Sequence, residues 1–171
     1  DGRVFVGGGR PYLVEDAPVE RTHGRFYSPY YLGILPPSDR PQIVGIPKDP
    51  VMHWDADYAV DYKNGSITGA SLVAIGSMTH ATDFNARFIE LEVRGGGGDA
   101  RGQITLHGPA SGRIAPPGYY MLFLLRNVRG VNVPSVAQII RVDGATPLCD
   151  GSPLNACGGC RTLTNLPGGT C

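Results

Sequence analysis

Cysteine is missing from the first 148 residues of this 171-residue chain, and all four cysteines crowd into the last 23. Covalent staples are therefore confined to the tail. Charge of one sign is also lacking, since fifteen Lys and Arg balance fifteen Asp and Glu. A phosphate backbone is bound through a surplus of Lys and Arg, so nucleic acid is not an expected partner, nor is a polybasic membrane patch. No apolar run approaches the ~20 residues that cross a bilayer; the longest, YYMLFLL, is strand-sized, and no membrane span is expected. The opening DGRVFVGGG lacks the basic-then-apolar order of a signal peptide. A mature secreted chain would have lost its own, so this says little about compartment. No segment of helical length carries apolar residues at three- and four-residue spacing, and helix content should be low.

What is plentiful is glycine (25) and proline (15), with Val, Ile, Tyr and Phe in short bursts between them. That punctuation fits an all-β fold. Three zones follow. Residues 1–32 hold two strands, RVFVGGG and GRFYSPYYL, around a loop-like stretch. Two strands alone are not a stable sheet, so this zone must lie against the next one or against a partner. Residues 33–143 begin with a linker-like PPSDRP. About seven short strands then follow at turn-separated intervals, the pattern of an immunoglobulin-like β-sandwich. Tyr58, Val60 and Tyr62 alternate onto one face, as do Ile89, Leu91 and Val93, with Glu90 and Glu92 on the other. Asn64-Gly65 tolerates the positive φ of a tight hairpin. YYMLFLL is apolar on both faces and should be a central strand. RGGGGDARG reads as a mobile surface loop.

Residues 144–171 are too short and polar to build a core and need staples. The spacing of Cys149, Cys157, Cys160 and Cys171 contains one close pair, whereas a four-thiolate zinc site shows two. Two disulfides are favoured, which implies an oxidising, extracellular or periplasmic setting. Three pairings are open; Cys157 with Cys160 is the least attractive, because a short loop removes little unfolded-state entropy.

Few residues in the body suggest chemistry. His80 stands in GSMTHATDFNARF, between two apolar segments, where a hairpin tip is expected. His23, His53 and His107 occupy separate loop or strand-end positions with surface or capping roles. Trp54 reads as a half-buried strand-edge aromatic rather than a sugar platform. Asp55, Asp57 and Asp61 lack the glycine and terminal Glu of a calcium loop. Tyr119 and Tyr120, inside an apolar strand, suit packing. Neither glycine run precedes a helix that could offer phosphate its N-terminus.

Longer motifs carry a family resemblance. Gly76, Ser77, Thr79 and His80 form a Gly-Ser-x-Thr-His turn, and Asp83 and Arg87 an Asp-x-x-x-Arg step. Ala115 to Phe123 read APPGYYMLF and Val133 to Ala137 VPSVA. This resembles the C-terminal, early-set domain of galactose oxidase and glyoxal oxidase, the copper-radical oxidases. DGRVFVGGG and FYSPYYL are similar to the last strands of that family's β-propeller. The likeness covers about residues 1–143 and leaves out the tail.

The resemblance implies that the sandwich extends a hairpin whose tip, His80, is a copper ligand. A neutral imidazole suits Cu(II), and a tip entering a narrow channel needs small neighbours such as Gly76, Ser77, Thr79 and Ala81. Arg87, Tyr119 and Met121 would serve the fold. The second His, the axial Tyr and the Tyr-Cys cofactor of that family lie upstream of the matched strands. The expectation is thus the C-terminal portion of a secreted copper oxidase, with copper in the full-length context and none for the isolated chain. This chain alone would be inactive. Its partner would be an N-terminal β-propeller segment or another chain; a carbohydrate or a small alcohol or aldehyde is the compatible substrate. The rival is a non-catalytic extracellular structural or binding (adhesion) module that keeps the fold without the radical-copper site.

Overall fold

The computed structural model describes residues 2–7, 24–80 and 82–144. The four cysteines and His23 lie outside them. Among the described residues there is no α-helix, only 3₁₀ turns at Tyr30–Gly33 and Pro37–Asp39.

Thirteen strands are present among these residues. Two form an outlying ribbon, β1 (Val4–Gly7) and β2 (Gly24–Tyr27), paired antiparallel with all eight residues exposed. The Phe5 and Phe26 rings lie 5.0 Å apart, and the Arg3 guanidinium sits 4.8 Å from the Phe26 centroid. The Tyr30–Gly33 turn then brings the chain beside the sandwich.

The sandwich has two layers. One holds β3 (Gln42–Gly45), β5 (Asp57–Lys63) and β10 (Arg101–His107). The other holds β4 (Val51–His53), β6 (Gly69–Ala74), β11 (Gly118–Val128), β12 (Val131–Pro134) and β13 (Gln138–Asp143). A single strand, β9 (Phe88–Gly96), belongs to both. Its first half, Phe88–Leu91, pairs with β6, and its second half, from Glu92 to Gly96, pairs with β10 across a register shift at Thr105/Leu106. An extra residue in one strand of a pair kinks it and increases its twist, and that is how β9 turns the corner between layers. The protein is an immunoglobulin-like β-sandwich.

The inner faces follow the alternation in the sequence. Tyr58, Val60, Tyr62, Ile104 and Leu106 meet Leu72, Tyr120, Leu122, Leu124, Ile140 and Val142, all buried, with Ile89 and Leu91 from β9 between them. Glu90 and Glu92 point to solvent, as expected. Burial pushes the Tyr58 phenol up to about 12, with Asp49 adding to the shift. Trp54 is half-buried against the core at the β4–β5 turn, its indole N–H donating to Ala115 O at 2.9 Å.

Several expectations need correction. Asn64 and Gly65 do take positive φ (71° and 107°), yet their turn is not a hairpin: it carries the chain from β5 in one layer to β6 in the other. Asn64 instead ties this crossing down, its side-chain amide donating to Ser38 O and Arg40 O. VPSVAQIIRV, whose apolar run reads as one of the seven strands, is split into β12 and β13. Ser135 breaks the ladder there and repairs it, donating its N–H to Leu124 O and accepting from Leu124 N–H through Oγ. Three-residue β4 was missed because it pairs only with β13, in parallel. The glycine run is no loose loop: β9 runs through Gly96, Gly97 O accepts from Ile67 N–H, and Asp99 O from the Tyr62 hydroxyl.

β11 is central, as its apolar run implied, but among the described residues no layer lies over its outer face. Tyr120 is buried with its hydroxyl on Pro116 O, whereas Tyr119 is 62% exposed. Register aligns Phe88, Val73, Met121 and Ile139 as one apolar row across β9, β6, β11 and β13, with Phe88 and Ile139 exposed. Among the described residues nothing packs over the second apolar face of YYMLFLL, where Met121 and Phe123 are half-buried.

Candidate metal-presenting finger

The connection from β6 to β9 is a projecting hairpin built of β7 (Met78–Thr79) and β8 (Thr82–Asp83), with Thr79 paired to Thr82. His80 follows β7 at its tip, exposed, with φ of 52°. Positive φ in a two-residue hairpin loop favours Asn, Asp or Gly, and a residue with a Cβ pays roughly 1–2 kcal/mol there. An imidazole kept at such a position, in open solvent, has no packing reason to be there. Strain of this kind collects at functional sites.

The finger is held at its neck. Asp83 Oδ1 accepts from the backbone N–H groups of Ser77 and Asn85, both at 2.9 Å. The Asn85 side-chain amide donates to Ile75 O at 2.8 Å, and Phe84 N–H donates to Ser77 O at 3.0 Å. Gly76 is small for a local reason: a Cβ there would stand 2.9 Å from the Asp83 carboxylate. At the tip, Thr79 Oγ1 lies 2.8 Å from His80 Nδ1. At the foot, Val73, Ala74, Asp83, Ala86, Arg87 and Phe88 line a groove of about 450 Å³.

The two backbone hydrogen bonds, Ser77 first, hold the Asp83 carboxyl below its ordinary value of 3.8. A depressed carboxylate pKa adds stability above the unfolded-state value and loses it as pH falls through the folded one. We therefore expect the finger to loosen selectively as the solution is acidified from about 4 downward. A fall in the protection of the Ser77 and Asn85 amides, measured against their intrinsic exchange at each pH and ahead of the sandwich, is the readout. Asp83→Asn should remove that acid dependence; unchanged protection at both amides would refute the clamp.

The other polar candidates are engaged elsewhere. His53 Nδ1 lies 3.1 Å from Gly144 O. His107 Nε2 is hydrogen-bonded to Asp55 Oδ1 at 3.0 Å, whereas its buried Nδ1 makes no hydrogen bond among the described residues and stands 3.4 Å from Asp57 Oδ1. Asp61 accepts from Gln103. Among the described residues no three His, Cys, Asp or Glu side chains converge as a metal would require. Sequence reasoning missed the roles of Thr79, Asp83 and Asn85. Only Asp83 carried a local signal, an aspartate two residues before the N–H it caps.

Residues 40–142, more than half of the chain, match the galactose oxidase-like, early set domain family. The chain belongs to that family. Relatives of this galactose oxidase-like domain include galactose oxidase of Gibberella zeae, 34% identical over 147 residues, covering 83% of this chain and 20% of that protein. Aldehyde oxidase GLOX1 of Arabidopsis thaliana is 34% identical over 156 residues, covering 83% of this chain and 24% of that protein. A WSC domain-containing protein of Arthroderma benhamiae is 32% identical over 146 residues, covering 84% of this chain and 14% of its own length. Among solved structures, a fungal alcohol oxidase of the AA5 family in complex with copper superposes with a TM-score of 0.66 at 28% identity, over 82% of this chain and 28% of that one. The early set domain thus corresponds to a part of larger copper oxidases. Among its described residues no helix is long and apolar enough to cross a membrane.

Proposed function

We propose that this chain is the C-terminal portion of a secreted galactose- or glyoxal-oxidase-like copper protein and supplies it with one ligand, His80. The carrying observation is the exposed imidazole at φ 52° on the tip of a neck-clamped finger. One imidazole fits copper as a contributor and no more, because Cu(II) takes several nitrogen and oxygen donors. The remaining ligands come from outside the described residues. Copper, when bound, would supply a one-electron redox couple. The parent reaction is oxidation of a primary alcohol or aldehyde by O₂ with release of H₂O₂, and the present chain does not perform it alone.

The residues of this chain would present and orient the imidazole and seal the body that receives the finger. That body must rest on the finger's feet. The surface there is apolar: Met78, Phe84, Ile75 and Phe88 are exposed and continue into the row through Val73, Met121 and Ile139. Contiguous exposed apolar area of this kind marks an interface. In this reading residues 1–32 are last-blade propeller strands, 33–143 the sandwich, and 144–171 a tail closed by disulfides among Cys149, Cys157, Cys160 and Cys171. The all-exposed β1–β2 ribbon supports it, since two strands need further strands to be stable.

A second reading is an extracellular structural or binding module without a radical site, since a sandwich of this kind can host many functions.

Copper loading of the full-length protein beside its His80→Ala variant tests the ligand. We expect electron paramagnetic resonance to show an imidazole-coordinated Cu(II) in the wild type that the variant loses. Equal, weak binding by both would leave the module reading standing.

A further inference from the structure

We propose that Thr79 is a positioning residue for His80: its hydroxyl holds Nδ1 of the ring and leaves Nε2 as the atom offered to the metal. The proposal rests on the reading of His80 as a copper ligand and names the geometry behind it.

An imidazole on an exposed tip has two freely turning side-chain bonds and two chemically similar nitrogens. A ligand must offer one particular nitrogen in one direction. In the neutral ring one nitrogen carries hydrogen and the other a lone pair, and the partner of the first decides which is which. Metal-bound histidines accordingly donate their second ring N–H to a fixed acceptor.

The finger supplies that acceptor. Thr79 Oγ1 stands 2.8 Å from His80 Nδ1, and Nε2 makes no hydrogen bond among the described residues. Thr79 is a good anchor because its branched Cβ restricts χ1 and its backbone is fixed opposite Thr82. The backbone of His80, at φ 52°, sets where the side chain leaves the tip. Thr79 then sets the ring's rotation. The carboxylate nearest in sequence, Asp83, is not free for this task, since its Oδ1 already holds the Ser77 and Asn85 amides. A hydroxyl has a further advantage over a carboxylate. It accepts from Nδ1–H and still has its own hydrogen to donate, so it adds no charge beside the metal.

The test reads the ring directly, in the whole 171-residue chain. Long-range ¹H–¹⁵N correlation, without metal and at a pH where the ring is neutral, reports which nitrogen carries hydrogen. We expect His80 to be mainly the Nδ1–H form in the wild type and in Thr79→Ser. In Thr79→Val, a shape-conserving change, it should revert toward the Nε2–H form that unrestrained histidine prefers. In the full-length protein, whose remaining ligands complete the site, Cu(II) binding should be weakened about tenfold by Thr79→Val and restored by Thr79→Ser. A wild-type ring mainly in the Nε2–H form, unmoved by Thr79→Val, overturns the proposal. If the tautomer moves as expected while wild type and His80→Ala bind copper equally, the hold by Thr79 stands and the copper reading falls.

Discussion

Gly96→Ala is expected to destabilise the chain by about 3 kcal/mol, combining a left-handed backbone penalty with steric displacement. Gly96 sits at φ 76° in the half of β9 that has crossed to β10, opposite Ile104. An added Cβ would drive into the carbonyl oxygen of Gln103, a backbone atom held by the same ladder. Neither the torsion nor the carbonyl can relax without moving the strand that joins the two layers. The neighbouring Gly95 is the control. It has no positive φ, and its missing Cβ would meet open space, so Gly95→Ala should change stability by less than about 1 kcal/mol. Urea unfolding with an unchanged slope separates the two. Matching midpoints would show that the layer switch does not depend on Gly96.

The second large effect is asymmetric across β11. Leu122 is fully buried between the layers, and Leu122→Ala should cost about 2–5 kcal/mol in transfer and cavity terms. Met121, next in the chain, is half-buried on the opposite face, which no other described strand covers, in the row with Val73 and Ile139. Met121→Ala should cost about 1 kcal/mol or less in the isolated chain. Similar losses at both sites would mean that something already covers the outer face. A large gap agrees with a face kept for the body that receives the finger.

Alternation made much of the fold legible. Tyr58, Val60 and Tyr62, and Ile89 and Leu91, point inward because period two leaves one face for the core. Pairing was less legible. Asn64-Gly65 announces a tight turn, but which strands it joins depends on contacts far along the chain, and β5 found β3 and β10 rather than β6. The central place of β11 was legible, but what meets its outer face was not, for an apolar face looks the same whatever covers it. In the finger, the position of His80 was readable from its motif and its flanking strands. The hold by Thr79 and the clamp by Asp83 were not, because both depend on side-chain directions that no spacing rule encodes.

The one tryptophan of the chain gives these experiments a built-in optical gauge. Trp54 is wedged at the turn from β4 to β5, where the layers close, with its indole anchored to Ala115 and glycines 112 and 144 against its ring. Its emission will follow opening of the sandwich and stay silent to events at the finger tip. Fluorescence can thus certify that a His80 or Thr79 variant is folded while its metal chemistry is read by other means.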